Sequence, residues 1–249
     1  SGDGGGVVPS SSRISRILIS RIEDMATGML MLPDLFAVVP PDRLQQAQRL
    51  AAFLDVQLWE HFHLVEGALP CITDPVEVVL NQTWRACLET IGSDLPHLST
   101  AGNVLRASVA HKLSVRIPPT VDPIRAAEAL TRQLTSDVPY GAQAHFSVEK
   151  CSPGWNAPAM NPALADLIDE ASSAFFGRTA MYRGEGGTIP FLHHLGTMFP
   201  AAQSFVTGVL GPESNAHGPN EFLHLPTAVN LTACLADILS KFTPEPSSR

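Results

Sequence analysis

The segment SPGWNAPAMNP, residues 152–162, constrains the fold more than any other stretch of this chain. Prolines at 153, 158 and 162 lack a backbone N–H and fix φ, so neither a helix interior nor a central strand runs through them. The chain therefore reads as two parts, residues 1–156 and 157–249, with the tail TPEPSSR (243–249) expected to be disordered.

In the first part, Ile14, Ile17, Leu18, Ile22 and Met25 recur at helical spacing behind a run of capping serines. A second helix is predicted from Asp42 through Leu44, Ala47, Leu50 and Leu54. A third opens at Asp74-Pro75, with Glu77 completing a capping box, and runs through Val79, Leu80, Trp84 and Leu88. From His111 the period changes. Leu113, Val115 and Ile117 alternate with Lys112, Ser114 and Arg116, which predicts a half-buried strand with Arg116 facing away from the core. A helix from Asp122-Pro123 bearing Ile124, Ala127, Leu130 and Leu134, then a strand through Ala144, Phe146 and Val148, complete a strand-helix-strand unit.

In the second part Asn161 caps a helix with Pro162 in its first turn, carrying Leu164, Leu167, Ile168, Ala171 and Phe175 and ending at Gly177. A short strand ending in GEGG, a helix from about Ile189, a strand at 205–210 and a last helix with Leu231, Leu235 and Ile238 follow. This alternation predicts an α/β layer with site-forming loops at the strand ends.

With 24 acidic against 16 basic side chains the net charge is −8, and no Lys/Arg cluster offers a footprint for nucleic acid. No apolar run approaches the ~18 residues of a membrane span, and the expected location is cytoplasmic. Cys71, Cys87, Cys151 and Cys234 are scattered without a CxxC pair and read as reduced structural thiols.

Two glycine-rich loops follow predicted strands, GEGGTIP at 184–190 and GPESNAHGPNEF at 211–222. In the first, backbone N–H groups and the Thr188 hydroxyl at a helix start suit a carboxylate, although the same pattern also suits an ordinary tight turn. In the second, His217 stands among polar groups where a neutral imidazole suits zinc as well as solvent. His61 and His63 are expected on one strand face, and His193-His194 diverge within a helix, so neither pair makes a two-ligand site.

Together these stretches resemble the di-zinc amidohydrolase family of carnosine dipeptidase, aminoacylase, acetylornithine deacetylase and succinyl-diaminopimelate desuccinylase. SGDGGGVVP resembles the part of an HSG-x-x-GG-x-x-P element that follows its histidine. KLSVRIPPTVDP resembles the lid strand KxSxRxxP, and GEGGTIP and NAHGPNEF resemble the EGGSIP and AHxxNE loops. The resemblance implies a ferredoxin-like α+β lid, residues 1–156, that also forms a homodimer. The C-terminal part of an α/β zinc-peptidase catalytic domain follows it. It further implies that Arg116 binds the substrate's carboxylate, that Gly186, Gly187 and Thr188 hold the same end, that Asn103 reaches across the dimer, and that His217 is a zinc ligand.

The departures are as informative. The HxD pair, the bridging Asp, the Glu-Glu pair and a further acidic ligand of this family lie ahead of the lid and are not in this sequence. The oxyanion histidine is absent as well, since Ser1 stands one residue after it, and KCSPGW stands where some relatives have HGGKPW. Ser1 is accordingly read as a cut inside a longer chain. The complete enzyme is expected to cleave dipeptides or N-acyl amino acids with two zinc ions. This chain alone is expected to bind zinc weakly, to hold no catalytic residue, and to be inactive. A non-catalytic dimerisation or binding module is the alternative.

Overall fold

The serines after Pro9 start a helix as expected. In the computed structural model, which describes residues 2–60, 62–186 and 189–243, α1 spans Ser11–Ile19 and the Ser10 hydroxyl accepts the Arg13 N–H. The stripe outruns the helix. Ile22 is fully buried but follows α1 in a turn, and Met25 is exposed. At Met25 the backbone follows Asp24, whose carboxylate accepts the N–H groups of Ala26 and Thr27 and the Thr27 hydroxyl, a local alternative to helical bonding. Those bonds, the Thr27 hydroxyl first, hold the Asp24 carboxyl below its ordinary range.

Two compact units are distinguished, Ser1–Asn156 with Arg183–His194, and Ala157–Tyr182 with Leu195–Arg249. In the first, α2 (Pro41–Leu54), α3 (Gln57–Glu60) and α4 (Pro75–Thr83) form a helical cluster around Ala47, Leu50, Leu58, Val79 and Trp84. Asp74 caps α4 by accepting the Glu77 N–H at 2.9 Å. Glu77 pairs with Arg85 rather than returning to the cap, so the expected capping box is only half formed. Leu88, expected on the same helix, lies in strand β1 (Cys87–Ser93), because α4 closes at Trp84.

Strand β1 pairs antiparallel with β2 (His111–Arg116), setting Cys87 opposite Arg116 and Leu88 opposite Val115, with an irregularity between Thr90 and Gly92. Helix α5 (Pro123–Thr135) is capped by Asp122, which accepts the Ile124 and Arg125 N–H groups. It buries Ala126, Ala129, Leu130 and Leu134, while Ile124 is 60% exposed. The expected face is therefore rotated: the small alanines, not Ile124 and Ala127, meet the core. That core joins Ile14, Leu18, Ile22, Leu35, Leu88 and Leu130, with Leu113 and Val115 packed against it. Ala142, Ala144 and Phe146 also pack there and alternate in burial, yet no strand includes them among the described residues. The expected strand-helix-strand pairing is thus replaced by the two-stranded sheet β1-β2.

The second unit holds α6 (Pro162–Phe176) and α8 (Leu225–Lys241). Asn161 accepts the Ala163 and Leu164 N–H groups at 2.8 and 3.4 Å, and Gly177 closes α6 with φ 73°, a left-handed turn that glycine adopts without strain. Asn161→Ala is expected to cost about 1 kcal/mol of stability, measurable as a lowered urea midpoint for the ellipticity of this unit. The core is Leu164, Ile168 and Ala171 against Cys234 and Ile238. The strands expected before GEGG and at 205–210 are not formed among the described residues, and Val206, Val209 and Leu210 stand exposed. An apolar stretch becomes a strand only where a second strand supplies the ladder, and none is described here.

Helix α7 (Pro190–Met198) carries His193 and His194 with ring centroids 5.9 Å apart. His63 sits at φ 49° in the turn after α3, which overturns the expected strand, and His61 lies outside the described residues, as do 244–249 of the tail. All four cysteines are free, and burial, then Asp237, pushes the Cys234 thiol up. No helix among the described residues is long and apolar enough to cross a membrane.

Candidate functional site

Strand β2 ends at Arg116, whose position opposite the start of β1 delivers the side chain to the last turn of α4. There Arg116 Nη2 donates to the Asn81 carbonyl oxygen at 2.8 Å. Helix-terminal carbonyls lack intrahelical donors and carry partial negative charge, so a guanidinium satisfies both. The Arg116 Nε–H is buried and has no acceptor among the described residues.

The glycine loop arrives at the same place. A Cβ on Gly186 would lie 2.3 Å from the Gln82 carbonyl oxygen and 3.0 Å from Arg116 Nη1. A Cβ on Gly184 would lie 2.7 Å from Thr83 Cγ2. Arg183, just before the loop, donates to the Gln82 side chain at 3.2 Å. Arg116 and Gly186, named separately from the sequence, are thus brought together within the first unit. Gly187 and Thr188 lie outside the described residues. Asn103 is exposed in the long connection between β1 and β2.

A guanidinium presents paired donors in a planar fork that matches a carboxylate. Here one Nη is fixed by a helix end and the other abuts a loop whose missing side chain allows close approach. The chemistry this favours is recognition of a carboxylate. The contribution of Asn81, Gln82 and Thr83 was not legible beforehand, because two of the three act through carbonyls and Cβ clearances that no side-chain pattern advertises. Arg183, adjacent to GEGG, was the one available signal.

His217 stands in a second, tightly wound loop of the other unit. Glu213, Asn215, His217 and Asn220 all have positive φ, a concentration of strained backbone. The loop is held by Asn215 Nδ2 donating to the Pro219 carbonyl at 2.6 Å, by Gly211 N–H donating to the buried Ser214 hydroxyl at 3.1 Å, and by His217 N–H donating to Glu221 at 3.2 Å. The His217 side chain is exposed. Among the described residues no three His, Cys, Asp or Glu side chains form a group able to hold a metal. A catalytic zinc site takes about three protein ligands, so the groups described in this chain do not fit one.

The sequence model of peptidase family M20/M25/M40 matches residues 22–241. The chain belongs to that family. A cysteinylglycine-S-conjugate dipeptidase of Corynebacterium striatum is 24% identical over 149 residues, covering 59% of this chain and 32% of the dipeptidase. Human carnosine dipeptidase 1 superposes with a TM-score of 0.70 at 16% identity, covering 94% of this chain and 49% of its own. An M20 family metallo-carboxypeptidase of Sulfolobus solfataricus gives 0.70 at 16% identity, covering 95% and 53%. This M20/M25/M40 chain thus shares the mixed α/β fold of those structures and spans about half their length.

Proposed function

We propose that this M20/M25/M40 chain supplies the carboxylate-recognition part of a zinc-dependent hydrolase acting on dipeptides or N-acyl amino acids. The observation that carries the reading is the convergence of Arg116 and Gly186 on the end of α4. Arg116 grips the substrate's free carboxylate, and the backbone from Gly184 to Gly186 lies against the same group. The dipeptidase names of two relatives support a peptide substrate. Asn103 serves from a homodimer partner. His217 is one of the zinc ligands, and the remainder come from outside the described residues of this chain.

It follows that the 249-residue chain by itself is inactive. With added zinc, it is expected to give no hydrolysis of a dipeptide and N-acetyl amino acid panel above a metal-only control, and to retain well under one zinc after desalting. Retention of about two zincs per chain, the complement of a two-metal hydrolase, together with turnover would refute this.

The metal-poor set of described side chains also favours a second reading, a dimeric binding module that recognises such carboxylates without cleaving them. Equilibrium binding of N-acetylglycine, the smallest N-acyl amino acid, tests the recognition that both readings share. Zinc-dependent turnover by any longer form of the chain separates them.

A further inference from the structure

We infer that the last turn of α4, residues Asn81 to Thr83, is the seat that positions Arg116 and the glycine loop relative to one another, making Gly184, Gly186 and Thr83 positioning residues for carboxylate capture. The inference rests on the proposed carboxylate recognition. Four contacts from three consecutive residues meet within that single turn. Asn81 gives its carbonyl to Arg116, Gln82 gives its side chain to Arg183 and its carbonyl to the face of Gly186, and Thr83 packs under Gly184. The turn itself is braced by the Thr83 hydroxyl, which donates to the Val79 carbonyl at 2.8 Å. Helix and loop therefore close on each other with no room for a side chain at either glycine.

The two glycines differ in a way that makes the seat testable. At Gly186 the obstruction is the Gln82 carbonyl oxygen, which belongs to helical backbone and cannot step aside. At Gly184 the nearest obstruction is Thr83 Cγ2 at 2.7 Å, with Thr83 Cβ at 3.0 Å. Thr83→Ser deletes that methyl and keeps the hydroxyl that braces the turn. Neither glycine has a positive φ, so an alanine there acts through the contact rather than through backbone strain.

The experiment uses the 249-residue chain, with N-acetylglycine as the probe. The readouts are the dissociation constant and the NMR cross-peak of the Arg116 Nε–H, identified by its loss in Arg116→Lys; burial of that group slows its exchange. Gly184→Ala is expected to shift the Arg116 cross-peak and weaken probe binding by roughly five- to tenfold, the size of coupling common between residues in contact. Adding Thr83→Ser is expected to restore most of both. Gly186→Ala is expected to weaken binding at least as much, with no recovery from Thr83→Ser.

A Gly184→Ala protein that keeps the wild-type cross-peak and affinity overturns the seat. So does a folded double variant that recovers neither. If Gly184→Ala unfolds, the double variant and Gly186→Ala carry the same decision, with circular dichroism reporting the fold. A wild-type Arg116 cross-peak that ignores N-acetylglycine overturns the carboxylate reading itself and takes this inference with it, an outcome distinct from the first two.

Discussion

Arg116→Ala is expected to weaken N-acetylglycine binding by about 10- to 100-fold, the equivalent of the ~1.5–3 kcal/mol that a hydrogen bond to a charged group contributes. The substitution has two effects. The carboxylate loses its fork, which lowers affinity, and the Asn81 carbonyl loses the donor that reaches it at 2.8 Å. The second effect predicts a small fall in stability, about 1 kcal/mol, that accompanies the loss of binding without causing it. Arg116→Lys separates charge from geometry: it keeps the cation but offers no planar pair of donors, so an intermediate affinity is expected. Isothermal titration of wild type and both variants measures the effect. Equal affinity in all three would remove Arg116 from the site.

What was legible in the sequence divides by the range of the interaction. Asp74, Asp122 and Asn161 were readable as caps because an acceptor side chain followed by proline acts within three residues of itself, and all three accept the expected N–H groups. The inward face of α5 was misread at its start, because Ile124 and Ala127 form a stripe with Leu130 and Leu134 that competes with the alanines at 126 and 129, which are the ones buried. Met25 was misread because the Asp24 side chain diverts the backbone before the stripe ends. Strands were least legible. β1 carries too few apolar residues to alternate, whereas 142–148 alternate, and 205–210 form an apolar run, without a described partner strand.

The site shows the same division. Arg116 and Gly186 were named by motif, because residue type alone, a guanidinium or the lack of a side chain, carries their chemistry. Their meeting point was not, since it is built from the Asn81 and Gln82 carbonyls, which every residue possesses. His217 was named by motif as well, yet its loop geometry depends on several bonds at once within 211–222, including Phe222 N–H to the Ser214 carbonyl.

Ile168→Ala is expected to unfold the second unit and leave the first intact. Ile168 is 2% exposed in a core whose buried members among the described residues are Leu164, Ile168, Ala171, Cys234 and Ile238. Removing its outer carbons costs about 2–5 kcal/mol where the surroundings cannot collapse, and a core this small has little to spare. None of these residues belongs to either core of the first unit. The chromophores make the separation measurable: Trp59, Trp84 and Trp155 all lie in the first unit, whereas Tyr182 lies in the second. The expected result is a partial loss of ellipticity with unchanged tryptophan emission. Tyr182 supplies an independent check, because burial, then Asp169, holds its phenol above the ordinary range. Once the unit opens, that phenol loses its protection and ionises at lower pH, visible in the phenolate absorbance. Tryptophan emission that shifts together with the ellipticity would mean that the two cores unfold as one, and that the second unit's stability is held from outside its own five residues.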